Sequence, residues 1–334
     1  MKPFCENRFN SIQMLRGLAA IFVIFEHVRF LNCGAFGVDI FFCISGFMIM
    51  LSTQKSTEHF MKKRLIRILP LYDLMTVGTF GLLLLFPSMF ETTKADLEAL
   101  IKSLFFIPFD IGGGVMQPLM RVGWTVYYEI FFYLIFLIAF KLSHKYRGLL
   151  CSVFIILLVT LVNVFSPSAL FFKFYGDPVI LEFVFGICAY YICEKLYTLN
   201  ESKKLPAFLS GVCLFTGILI FAILAVTKTR ANILGFMRPL VWGIPAFIIV
   251  LCFFLAGLHI KSPKAMVGIG NMSFSIYLIH YYPVLFLDRK VFDFATCRPF
   301  SILGVVLCVA ICLGCAYISY ILIEKKLTKM LNKL

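Results

Sequence analysis

The chain has 334 residues, 61% of them hydrophobic and only 14% charged, with a mean hydropathy of +0.95. A soluble domain carries nearer a quarter charged residues, so these figures exclude an ordinary water-soluble fold and predict a polytopic membrane protein. The net charge of +14 would suit a nucleic-acid binder, but its distribution along the chain assigns it to the ends of membrane spans instead, and no nucleic acid is expected.

Met1 to Phe9 is polar and runs straight into the first apolar stretch, so no cleavable leader is expected. Ten apolar runs follow: Ile12–Val28, Phe36–Leu51, Leu69–Phe86, Trp124–Phe140, Leu149–Phe165, Pro178–Cys193, Ala207–Val226, Pro239–Gly257, Phe274–Leu287 and Ile302–Ile323. They predict an all-α polytopic membrane protein, a single domain over 1–334, with about ten transmembrane helices around a polar cavity. Twenty of the 31 Lys and Arg fall at the N-terminus and near 55–67, 141–147, 195–204, 261–264 and 325–333, all on one side of an alternating topology. Basic loops stay in the cytoplasm, which places both termini there. The longest break, 87–123, then lies outside and contains one helix-like segment around ETTKADLEAL and the turn-like PFDIGGG.

The first run holds two polar side chains, Arg16 and His27, eleven positions apart. Eleven steps make about three helical turns and a rise of roughly 16 Å, so both lie near one stripe. Charge on a membrane helix is costly unless it faces protein or water. Glu26 either adds to that cost or partners the stripe. Arg64 and Arg67, three apart at the mouth of the third run, share a helix face; their planar donor forks suit phosphate, and the same pair suits a headgroup anchor. Further polar residues recur inside later runs: Trp124 and Glu129 in the fourth, Glu182 in the sixth, Arg238 at the start of the eighth. Ser273, Tyr277 and His280 share a face of the ninth, and Glu324 closes the tenth. His27 and His280 are the candidates for proton transfer, since imidazole titrates near neutral pH. Most of the twelve cysteines lie inside apolar runs and none forms paired C-x-x-C motifs, so neither a metal site nor disulfides are expected.

Several separated blocks together resemble the integral-membrane acyltransferase-3 family. Arg16 and His27 match its Arg-x10-His signature, and GVDIFFCISGF at 37–47 matches its second block. Arg64-x-x-Arg67 with Pro70 and Tyr72 matches the third, and GWTVYYEIFFY the fourth. Pro178…Glu182-Phe183…Gly186, Arg238…Trp242-Gly243, Ser273…Tyr277-Leu278…His280 and Ile323-Glu324-Lys325 match later blocks. Phe274 departs from the family's usual Tyr, and Lys326 from the Pro that usually follows Glu-Lys. The likeness is strongest to stand-alone exopolysaccharide and lipopolysaccharide O-acetyltransferases, without the hydrolase-like domain that some relatives append.

The resemblance implies a bacterial inner-membrane enzyme that moves an acyl group, usually acetyl, from cytoplasmic acyl-coenzyme A to a hydroxyl of a cell-surface or lipid-linked glycan. It implies no permanently bound cofactor; acetyl-CoA enters as the donor substrate. It assigns Arg64, Arg67 and Tyr72 to coenzyme A and His27 to the chemistry, as general base or as a transiently acylated nucleophile. Arg16 is expected to hold the carrier arm or shape the cavity field. Glu26 or Asp39 is expected to orient the imidazole. Asp39, Trp124, Glu129, Glu182, Arg238 and His280 are the candidates for the acceptor side. Transport or flipping of a lipid-linked glycan is the competing function, since it too uses many spans with intramembrane charge.

Overall fold

In hydrocarbon every backbone N–H and C=O must pair within its own segment, so apolar runs of this length fold as helices. That is what the computed structural model contains. It describes residues 4, 9–29, 31–54, 59–90, 93–112, 114–202, 205–227, 235–292 and 299–331. Among these, the secondary structure is helix and turn with one isolated bridge, Asp110 to Met116. Lys2, Arg8, Lys55, Lys203, Lys204 and Lys333, which contribute to the basic side predicted above, lie outside the described residues.

Among the described residues, six helical stretches are long and apolar enough to cross a membrane: Phe60–Leu85, Arg121–Leu142, Arg147–Phe165, Phe208–Thr227, Pro239–Ala256 and Ile302–Leu331. The chain is a multi-pass membrane protein. Two further helices of similar length, α1 (Asn10–His27) and α8 (Leu181–Glu201), are diluted by Arg16, Glu26, Glu182 and Glu194, while α2 (Phe36–Ser52) is apolar but shorter. Rows of large apolar side chains stay exposed on the outer helices, Leu149, Ile156 and Leu161 on α6 (Arg147–Phe165) and Phe215, Leu219 and Val226 on α9 (Phe208–Thr227). Such surfaces belong against lipid.

Inside, the core is built from Phe rings, with Phe183 stacked on Phe132 at 4.3 Å and tilted on Phe42 at 4.6 Å. The innermost pair of helices, α2 and α8, cross at Gly46 and Gly186. A Cβ on Gly46 would stand 2.1 Å from the Phe183 carbonyl oxygen, and one on Gly186 2.1 Å from that of Cys43. Only glycine permits this approach, and close backbone contact is how membrane helices gain packing without a hydrophobic driving force between them.

Three segments differ from the sequence-based expectation. The third helix, α3 (Phe60–Leu85), begins nine residues before the apolar run, so Arg64 and Arg67 sit within its first turns and Pro70 inside it. The helix in the long break is α4 (Leu97–Leu104), capped by the Asp96 carboxylate on the Glu98 and Ala99 amides, and its fully buried Ser103 packs against α3. The ninth run is divided between α12 (Ser273–Ile279) and α13 (Tyr281–Leu287), and a further short helix, α11 (Lys264–Asn271), precedes it. Pro283 lacks the amide that a continuous helix requires there.

Candidate functional site

Helix α1 is held at its far end by an acid-to-amide clamp. The Glu26 carboxylate accepts from the amides of Gly34 at 2.7 Å and Ala35 at 2.9 Å, which are orphan donors at the start of α2. Gly34 must be glycine, because a Cβ there would meet the Phe22 carbonyl oxygen at 1.7 Å. The clamp fixes the α1–α2 corner and so the position of His27 beside it. Arg16 and His27, three turns apart, open into different cavities.

The first cavity, about 750 Å³ including the space where it opens to solvent, is cationic. Arg16 from α1 and Arg64 and Arg67 from α3 line it, with Glu129 and Tyr133 from α5 (Trp124–Leu142) and Ser45 from α2. Arg64 Nη2 donates to Ser52 Oγ at 2.5 Å, and its guanidinium lies 5.5 Å from the Tyr133 ring centre. Glu129 accepts from Tyr133 at 2.5 Å and from Ser45 at 3.4 Å. Three guanidiniums face two carboxylates, Glu129 in the wall and Glu324 close enough to act on Arg16 and Arg67, and the surplus positive charge makes an anion site. Glu324, in the π-helical turn Tyr320–Lys325, accepts from Ser275 at 2.7 Å.

The second cavity, about 1010 Å³, is lined by Glu26, His27, Gln117, Arg121, Trp124, Arg238 and Trp242. Val38 and Tyr277 belong to the walls of both cavities, so the two cavities adjoin at these side chains. Tyr277 is pinned there: its hydroxyl donates to the Val122 carbonyl at 3.0 Å and accepts from Thr125 at 2.9 Å.

The two histidines meet edge to face. His280 Nε2 is 3.2 Å from His27 Nδ1, and their ring centres are 4.7 Å apart. His280 Nδ1 lies 3.1 Å from the Ile276 carbonyl, a pure acceptor, so that nitrogen carries the proton and its Nε2 accepts. His27 Nδ1 faces two acceptors, His280 Nε2 and the Val23 carbonyl at 2.9 Å, so it too is protonated. The His27 Nε2 is left with its lone pair, on a residue that lines the second cavity. A neutral imidazole with one bare, positioned nitrogen can take a proton.

Arg238 stands in the wall opposite. Its guanidinium donates to both oxygens of the fully buried Asp39, at 3.0 and 3.2 Å, and packs 5.3 Å from the ring centres of both Trp124 and Trp242. The π-helical turn Pro239–Gly243 immediately follows; such bulges re-aim side chains at functional sites. A third cavity, about 910 Å³, adjoins the second and shares Gln117, Trp124 and Arg238 with it. Asp177, at the mouth before α8, lies in its wall. Burial pushes that carboxyl up from its usual range, against the pull of the Val179 amide and of Arg238.

The structure redistributes several sequence-predicted residues. Tyr72 does not line the arginine cavity: it is fully buried, stacks on Phe106 at 5.1 Å and donates to the Ser103 carbonyl at 2.9 Å. Glu129 stands in the arginine cavity rather than beside Trp124. The His27 Nδ1–H is shared by the Val23 carbonyl and His280, whereas Glu26 accepts from the α2 amides and Asp39 from Arg238. Glu182 and His280 are fully buried and line none of the three cavities. Gln117 and Arg121, joined by a 3.1 Å hydrogen bond, come from the long break, where no periodicity or motif marks them.

The chain is similar to known proteins over most of its length. A family model, the acyltransferase-3 family with the description acyltransferase domain, matches residues 9–321. An exopolysaccharide production protein of Rhizobium meliloti is 36% identical over 160 residues, covering 46% of this chain and 49% of its own. An O-acetyltransferase of Staphylococcus aureus is 27% identical over 86% of this chain and 52% of its own, and a putative peptidoglycan O-acetyltransferase of Bacillus subtilis is 29% identical over 83% and 48%. The chain thus spans about half the length of these relatives. No solved structure matches it.

Proposed function

The chain belongs to the acyltransferase-3 family, and from that premise we propose that it is a membrane O-acetyltransferase, moving acetyl from acetyl-coenzyme A to a hydroxyl of a cell-surface or lipid-linked glycan. The observation that carries the reading is the pair of cavities meeting at Val38 and Tyr277, one with three arginines and the other with the bare nitrogen of His27. Coenzyme A is a polyanion on a long thin arm. Arg64, Arg67 and Arg16 hold the phosphates, and the pantetheine arm passes a neck between Val38 and Tyr277 to bring the thioester to His27. The proposed setting is a bacterial inner membrane crossed ten times, both termini cytoplasmic, with the arginine cavity open to the cytoplasm where coenzyme A is found.

His27 Nε2 takes the proton from the acceptor hydroxyl as its oxygen attacks the thioester carbonyl. The carbon–sulfur bond breaks, and the imidazolium returns the proton to the departing thiolate. His280, behind His27, fixes which nitrogen is bare and receives a share of the Nδ1 proton while the ring is charged. General-base catalysis of this kind contributes about 10²–10⁴ in rate. The test uses purified protein, labelled acetyl-CoA and a surface glycan: His27→Ala should fold and accumulate but lose transfer by about that factor. Wild-type transfer by that variant would overturn the assignment, and failure of the wild-type protein to consume acetyl-CoA would favour glycan transport instead.

A further inference from the structure

The second and third cavities share a wall made of Gln117, Trp124 and Arg238. The shared residues are held from several sides. Trp124 meets Tyr128 edge-on at 5.8 Å and Phe42 at 6.2 Å, and Arg238 is fixed to Asp39 and packs by its rings. With Trp124 and Arg238 held in this way, the wall reads as a divider between two subsites. The third cavity has the composition that a sugar ring needs. Tyr128 and Phe174, stacked on each other at 4.6 Å and nearly buried, back its wall, and the partly exposed Trp124 ring supplies the apolar surface for the C–H side of a pyranose. Around it stand Gln117, Asp177 and the exposed Lys173, a mixture of donors and acceptors for ring hydroxyls.

Resting on the acetyl-transfer reading above, we infer that the acceptor is held as at least two linked sugars: the one being acetylated in the His27 cavity, its neighbour between Trp124, Asp177 and Lys173. The linkage crosses beside Trp124. Binding energy from a non-reacting neighbour is then used to place the reacting hydroxyl, so a free monosaccharide is a poor substrate even though it fits the His27 cavity.

The experiment uses the purified full chain, labelled acetyl-CoA, and the surface polysaccharide of producing cells, stripped of acetyl groups by mild base, partly hydrolysed and sized into fragments of one, two and more units. Label should appear in fragments of two units or more, at least about tenfold faster per molecule than in single sugars. Lys173→Ala, an exposed side chain on a short surface helix, should raise the KM for two-unit fragments about tenfold with little change in kcat, as expected for one lost charged hydrogen bond. Equal labelling of single sugars and longer fragments, or an unchanged KM in Lys173→Ala, would overturn the two-sugar site while leaving the acetyl-transfer reading intact. No label in any fragment, with acetyl-CoA untouched, would overturn both.

Discussion

Replacing His280 by Phe isolates the hydrogen bond that sets the state of His27. The ring is fully buried and outside all three cavities, so the substitution keeps an aromatic of similar width in place and touches no substrate. The Ile276 carbonyl loses the imidazole donor but keeps the His280 backbone amide at 3.0 Å, so no buried acceptor is orphaned. Folding stability should therefore change little. His27 loses one of its two acceptors, and the remaining Val23 carbonyl no longer shares the ring's proton. A single intramolecular hydrogen bond contributes about 0.5–1.5 kcal/mol, which translates into a kcat lowered about 2- to 13-fold. The KM for acetyl-CoA should not move, because the arginine cavity is untouched. Steady-state transfer of labelled acetyl by protein in lipid nanodiscs, with a melting curve on the same sample, measures all three quantities. A kcat equal to wild type would refute the positioning role. A loss as large as that of His27→Ala would refute it too, by placing His280 within the chemistry itself.

Other expectations follow from the same geometry. Arg64→Gln and Arg67→Gln should each raise the KM for acetyl-CoA about tenfold or more with a smaller effect on kcat, read by initial rates, since each removes a charged phosphate donor. Asp39→Ala removes the carboxylate that accepts both Arg238 hydrogen bonds, leaving Glu182 and Asp177 as its acidic neighbours, and should cost about 1–3 kcal/mol, seen as a lower melting temperature. Gly186→Val forces α2 and α8 apart at the Cys43 carbonyl; the variant should accumulate poorly and melt early in detergent, whereas Ala at the lipid-facing Val226 should behave as wild type.

The sequence made the fold class and half of the site legible for a simple reason: apolar length and misplaced charge are local signals. Arg16, His27, Arg64, Arg67, Trp124 and Arg238 were each visible as polar residues where polarity is costly, and each lines a cavity. What spacing cannot say is which neighbour a buried polar group turns to. Tyr72 reads as part of the arginine motif, yet its hydroxyl reaches a carbonyl on α4, 31 residues away. Glu26 reads as a partner for the adjacent His27, yet two unpaired amides at the start of α2 present a stronger claim on a carboxylate. The histidine pair joins positions 253 apart, and Gln117 and Arg121 come from a stretch with no periodic pattern at all. Helix breaks were missed for a similar reason: Pro283 and the π-helical turns change direction without lowering hydropathy.

The neck offers the sharpest examination. Val38→Trp places a large ring at the junction without altering any arginine or histidine, and the same preparation can be measured for acetyl-CoA binding by calorimetry and for acetyl transfer to glycan. Passage of the carrier arm between the cavities requires that the affinity stay within a few-fold of wild type while transfer falls by a hundredfold or more. Transfer at the wild-type rate through the filled neck would contradict it.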